Sequence, residues 1–144
     1  MEKRVESPMR PRAAVIETLR RCRIAPTAQR VEIAQVLFAR PQHLSADQVL
    51  AQVNRDRSRV SKATVYNTLG LFAKRGLIRE IIADPARLFY DTNTSEHHHV
   101  YNVDTGTLTD IEAEAVTIGA LPDLPDGTVA DGVEVIIRVR SQGT

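Results

Sequence analysis

Four histidines carry the most evident chemistry in this chain, and three of them are consecutive: His97, His98 and His99. On a β-strand successive side chains alternate between faces, so His97 and His99 share one side and His98 takes the other. Two imidazoles at i, i+2 can hold one metal ion. Asp91 lies upstream of the triplet, and Asp110 lies on the next apolar segment, close enough to complete a site if the two segments pair. Imidazole plus carboxylate suits Zn²⁺, Mn²⁺ or Fe²⁺. The same triplet also fits a polar loop or an adventitious metal site. His43, read alone, is a solvated histidine ahead of a helix. Cys22 is the only cysteine. It leaves no intrachain disulfide and no cysteine-type structural zinc within one chain.

The net charge of +1 conceals an asymmetry: residues 1–76 carry +9 and residues 77–144 carry −8. A basic half joined to an acidic half points to a polyanion-binding module attached to something else. Arg55, Arg57, Arg59 and Lys62 are candidate phosphate contacts. Thr64 and Tyr66 are candidates for thymine methyls, and Asn67 for an adenine edge. Arg10 and Arg12 could reach a minor groove from an N-terminal arm. The plainer alternative is a helical core with a solvated basic face.

These residues need elements to position them. Residues 1–11, with Pro8 and Pro11, read as an arm. Apolar spacing predicts helices over Arg12–Arg23 and Ala28–Ala39, the second capped by Thr27 and stopped by Pro41. Ser45-Ala46-Asp47-Gln48 is a capping-box pattern opening a third helix. A fourth starts near Ser61 or Lys62 and ends at Gly76, with Val65, Leu69 and Phe72 as its buried stripe. Leu77–Ile82 and Leu88–Tyr90 flank a turn and predict a hairpin. Helices followed by a hairpin give the order of a winged helix-turn-helix. Further on, Val100–Val103 and Thr107–Ile111 predict paired strands, residues 112–120 a short helix, and Val133–Arg140 a strand. The fold class expected is α+β: an N-terminal winged helix-turn-helix followed by a small α/β dimerisation domain.

Taken together the sequence resembles the ferric uptake regulator superfamily. The resemblance rests on TAQRVEIAQVL in the second helix, HLSADQVL in the third, ATVYNTLGLFAKRGLI in the fourth, and LFYDTNTSEHHHV leading into the second half. It implies that His43 and Asp91 join His97, His99 and Asp110 as ligands of a regulatory Fe, Mn or Zn ion. Asp110 matches the peroxide-sensing branch. Asn102 and Thr105 stand where most members carry the CxxC of a structural zinc site. That departure, the histidine triplet and the short VEVIIRVR tail are most similar to the iron response regulator branch. There the triplet, here His97, His98 and His99, is implicated in haem binding. The Cys-Pro haem motif of some members is missing, since Cys22 is followed by Arg23.

The resulting expectation has three segments: residues 1–83 as a winged-helix DNA-binding domain with its arm, 84–96 as the hairpin return strand and hinge, and 97–144 as a dimerisation and metal-binding domain. The function expected is a metal-responsive and haem-responsive transcription regulator of iron and haem homeostasis. It would be a homodimer on two-fold double-stranded DNA, and not an enzyme. A peroxide, manganese or zinc sensor is the alternative within the superfamily. A small metal-dependent hydrolase is the alternative outside it, with Glu96 and Glu112 as its spare bases. No apolar run approaches the roughly 20 residues of a membrane span, and no segment resembles a signal peptide. The expected location is the cytoplasm, with no membrane partner.

Overall fold

The computed structural model describes residues 11–57 and 59–143. Arg10 lies outside the described residues. The chain divides into two compact units, Met1–Thr94 and Ser95–Thr144.

In the first unit, three helices begin at a hydroxyl side chain that takes over an N–H group lacking an intrahelical partner. The helices are α1 (Arg12–Arg21), α2 (Ala28–Leu37), α3 (Ala46–Val53) and α4 (Lys62–Lys74). Thr27 accepts from the Arg30 N–H at the start of α2, and Ser61 accepts from the Thr64 N–H at the start of α4. Ser45 forms the full capping box: its Oγ accepts from the Gln48 N–H at 3.2 Å, and Gln48 Oε1 accepts from the Ser45 N–H at 2.9 Å. Gly76, at φ 76°, ends α4 in the left-handed region. The Leu77 N–H returns to the Phe72 carbonyl at 2.9 Å, the helix-ending bond that this turn permits.

Helix α1 stops at Arg21, earlier than the expected Arg23. Arg23 adopts φ 60°, and the Ile24 N–H bonds back to the Leu19 carbonyl. The turn drops Ile24 into the core. Burying that side chain offsets a left-handed arginine, which costs about 1–2 kcal/mol. Helix α2 ends at Leu37 and not at Ala39.

The core is aliphatic, as the low aromatic content requires. Val15 and Leu19 of α1, Val31, Ile33, Ala34 and Leu37 of α2, Val49 and Val53 of α3, and Val65, Leu69 and Phe72 of α4 form one buried cluster. The stripe expected on α4 is fully buried. Between α3 and α4, the Asn54 amide accepts from the N–H groups of Arg59 and Val60 and donates to the Val60 carbonyl. One side chain thus shapes the basic connection.

The hairpin forms from β2 (Arg79–Asp84) and β3 (Arg87–Asp91). It begins two residues later than expected because Leu77 and Ile78 complete the helix end and enter the core. Asp84 accepts from the Ala86 N–H to close the turn. A short strand, β1 (His43–Leu44), which the hydropathy pattern does not reveal, pairs with β3. The sheet order is β1-β3-β2, so β3 is central.

In the second unit, β4 (His98–Asn102) runs antiparallel to β5 (Thr107–Ile111) and parallel to β6 (Ile136–Val139), in the order β5-β4-β6. Gly106 at φ 72° makes the tight return between β4 and β5. The helix expected over 112–120 does not form; only a 3-10 turn, Ala113–Ala115, is present. Val116, Thr117, Ile118 and Gly119 all disfavour helix, and the side chains here are mostly exposed, so packing does not compensate. The last strand is also shorter than the expected Val133–Arg140. The α+β class holds, with four α-helices and two three-stranded sheets among the described residues. None of these helices is long and apolar enough to cross a membrane.

Phe72→Ala should destabilise the chain by about 3–5 kcal/mol, and Ser45→Ala by about 0.5–2 kcal/mol. Urea unfolding followed by circular dichroism measures both. Equal small effects would contradict the packing of α4 described above.

Candidate metal centre and candidate nucleic-acid interface

Each unit contains a cross-strand pairing of histidine with aspartate. In the first unit, His43 on β1 is directly opposite Asp91 on β3. Directly opposite residues have Cβ atoms about 4.5–5.5 Å apart, and here His43 Nε2 lies 3.1 Å from Asp91 Oδ2. The Asp91 side chain is buried, and its Oδ1 accepts from the Asn93 N–H at 2.8 Å. That bond leaves Oδ2 turned to the imidazole.

In the second unit, His99 on β4 is opposite Asp110 on β5. His97, just ahead of the strand, projects to the same side. The Nε2 atoms of His97 and His99 lie 3.3 and 3.2 Å from one oxygen, Asp110 Oδ1. Their ring centroids are 4.5 Å apart, with the planes inclined at 63°. The strand alternation read from the sequence thus describes how these two rings converge.

The other nitrogen of His97 fixes what this convergence means. Its Nδ1 lies 2.6 Å from the Ser95 carbonyl oxygen. A carbonyl only accepts, so Nδ1 carries the proton, and neutral His97 turns the Nε2 lone pair toward the Asp110 carboxylate. Two acceptors facing each other at this distance repel. A cation between them, either a proton or a metal ion, removes the repulsion. Two imidazole nitrogens and a carboxylate oxygen aimed at one place fit a divalent ion of the Fe, Mn or Zn type. The Ser95 carbonyl holds the His97 ring in this orientation, as outer acceptors do for metal-binding histidines.

His98 is engaged differently. Its Nδ1 accepts from the Val135 N–H at 3.0 Å, so this imidazole anchors the C-terminal strand. All three rings of the triplet are buried. In this conformation they present no open edge to a flat cofactor such as haem.

The candidate nucleic-acid residues lie in the first unit. At the start of α4, Lys62, Tyr66 and Asn67 are exposed and Thr64 is half-buried. The Tyr66 hydroxyl donates to Asp47 Oδ1 on α3 at 3.1 Å. Lys62 Nζ lies 5.7 Å from the centre of the Tyr66 ring, a cation–π distance. With its hydroxyl engaged, Tyr66 keeps its ring exposed at the surface. The Thr64 hydroxyl oxygen accepts from Ser61 at 2.9 Å and belongs to the cap. Arg59 pairs with Glu32 of α2 at 3.1 Å. Arg57 is exposed and lines a shallow pocket with Arg59, Glu32 and the first residues of α2. Arg12 is exposed at the start of α1. The ties from Asp47 to Tyr66 and from Glu32 to Arg59 escape a reading of the sequence. Each joins residues far apart in the chain, and no local pattern marks them.

The Asp47 contact raises the Tyr66 phenol above its usual value near 10; the hydrogen bond is the largest cause, followed by burial and the Asp47 charge. Tyr90 is also raised, first by burial and then by the charges of Glu80, its cross-strand neighbour, and Tyr66.

Helices packed against a hairpin, with an exposed, capped helix start, define a winged-helix unit, and a second, β-rich unit follows with converging His and Asp side chains. The chain belongs to the ferric uptake regulator family, whose model matches residues 22–119. A peroxide-responsive repressor of Staphylococcus aureus is 30% identical over 97 residues, spanning 67% of this chain and 66% of that protein. The chain thus spans slightly less than two thirds of that relative's length. Among solved structures, the ferric uptake regulator of Pseudomonas aeruginosa with manganese aligns at TM-score 0.67 and 24% identity, covering 88% of this chain and 97% of that one. The regulator of Francisella tularensis with iron aligns at TM-score 0.67 and 21% identity, covering 83% and 92%. A zinc-bound manganese uptake regulator aligns at 0.64 and 19%, covering 89% and 98%. At these identities the structural likeness establishes the fold.

Asp47→Ala should lower the Tyr66 pKa toward 10, its usual value. Because the folded-state value is raised, the contact favours folding below the usual tyrosine pKa, and the benefit is lost as pH rises through the folded value. Titration of ¹³C-labelled tyrosine by NMR reads the shift. An unchanged Tyr66 curve would mean that the Asp47 bond does not persist in solution.

Proposed function

We propose that this chain is a metal-responsive, DNA-binding transcription regulator that acts as a homodimer, with His43, Asp91, His97, His99 and Asp110 as the ligands of its regulatory ion. The observation that carries the reading is the convergence of His97 Nε2 and His99 Nε2 on one Asp110 oxygen, with His97 held by Ser95 so that its lone pair faces inward. When bound, a divalent ion supplies a fixed coordination centre. Ligands that favour one conformation shift the population toward it. An ion bound better by the DNA-binding form would favour that form.

DNA binding is assigned to α4, with Tyr66 and Asn67 toward base edges, Lys62 and Arg57 toward phosphates, and Thr64 at the capped start. Arg59 would have to exchange Glu32 for a phosphate. Arg12, and Arg10 ahead of it, are assigned to the flanking backbone and minor groove. Dimerisation is supported by exposed aliphatic side chains in the second unit, Val103, Val133, Ile137 and Val139, and by the open edge of β6. Half-sites about one helical turn apart would suit a two-fold pair.

The signal has two readings. The identity shared with a peroxide-responsive repressor, together with the carboxylates of Asp91 and Asp110, favours a peroxide-responsive regulator. An iron or haem regulator of the iron response type rests on the triplet and the missing CxxC. For haem to bind, His97, His98 or His99 would have to leave its present bonds. Treatment with Fe²⁺ and peroxide separates the readings: a one-oxygen mass gain on His43 or His97 marks the peroxide sensor, and its absence with haem-released DNA marks the other.

Fluorescence anisotropy on an A·T-rich inverted-repeat duplex and on selected genomic fragments, with chelator, with Mn²⁺, and with Mn²⁺ plus haem, tests the whole reading. Binding should require Mn²⁺ and be lost in His97→Ala and His99→Ala. Equal binding in all conditions would remove the histidines from regulation. Lys62→Ala should weaken binding across sequences and reduce the salt slope by about one. An unchanged slope would exclude Lys62 as a phosphate contact.

A further inference from the structure

The segment leading into β6 grips β4 at the histidines. The His99 N–H donates to the Val135 carbonyl at 3.1 Å, and the Val135 N–H donates to His98 Nδ1 at 3.0 Å. Beside these two bonds, Glu134 Oε1 lies 3.2 Å from His99 Nδ1. His99 is completely buried, and its opposite nitrogen, Nε2, is the one that faces Asp110. Each nitrogen of His99 faces a carboxylate at 3.2 Å; with an ion held at Nε2, the proton of neutral His99 falls on Nδ1, toward Glu134. In that tautomer the Nε2 lone pair points to the Asp110 side, alongside that of His97.

We infer that Glu134 is a positioning residue for the candidate metal centre: it fixes the tautomer and ring orientation of His99 and raises the basicity of Nε2. This inference rests on the proposed metal-binding role of His99. Ser95 does the same for His97 with a neutral carbonyl. Glu134 would do it with a charge placed 3.2 Å from Nδ1, and an anionic neighbour polarises the ring more than a neutral one. Glu134 does not face the convergence point, because an imidazole separates its two nitrogens on opposite sides of the ring. It acts through His99 and not as a ligand. The i, i+2 spacing of His97 and His99 gives no hint of this partner, which lies 35 residues further along the chain.

The test is Mn²⁺ and Zn²⁺ affinity of the full chain, by competition with a chromophoric chelator, for the parent, His97→Ala, Glu134→Ala and Glu134→Gln. Glu134→Ala should weaken binding about 10- to 100-fold. Glu134→Gln keeps an acceptor oxygen without the charge and should recover only part of that loss, while the His99 Nδ1–H signal is the readout that a merely structural role would not move. In the Zn²⁺-loaded parent, NMR of ¹⁵N-labelled histidine should show one slowly exchanging Nδ1–H at His99, absent in Glu134→Ala. Parent-like affinity in Glu134→Ala, with His97→Ala impaired, would overturn the role of Glu134 and leave the metal reading standing. Parent-like affinity in His97→Ala as well would overturn both. Equal losses in Glu134→Ala and Glu134→Gln with the Nδ1–H retained would also overturn the proposal.

Discussion

Cross-strand register governs the chemistry of both units. An antiparallel ladder brings directly opposite side chains within contact, and it does so for residues of any separation in sequence. In the first unit it sets His43 against Asp91; in the second it sets His99 against Asp110. A slip of one residue in either ladder would send the imidazole to the other face. The register is in turn held by burial: Tyr90 on β3, and Tyr101 and Leu108 on β4 and β5, have to face inward. Apolar packing thus dictates where the polar groups meet.

A buried carboxylate such as Asp91 carries a desolvation cost unless its oxygens are satisfied. One oxygen takes the Asn93 N–H and the other faces His43. Around Asp110 the accounting is different, because two imidazoles address one oxygen. Such an arrangement calls for positive charge at that point.

The DNA-facing candidates depend on a separate constraint. Helix α4 buries Val65, Leu69 and Phe72 on one side and must therefore turn Lys62, Tyr66 and Asn67 outward. Its capped start and the Asn54 clasp on the preceding loop fix where that exposed end begins. The Tyr66–Asp47 bond then joins α4 to α3.

Local patterns determined much of this protein. Capping residues, the stripe on α4, the hairpin and the strand alternation of the histidines are all encoded over a few residues, because their physics acts within one turn or one pleat. The expected helix over 112–120 shows the limit: its composition was weakly helical, and no packing partner supplied the missing stability. Strand β1, the ladder opposite His43, the Arg59–Glu32 pair and the reach of Glu134 to His99 were decided by tertiary structure alone. Each depends on segments brought together by burial of the core, and sequence spacing carries no record of which distant backbone will lie alongside.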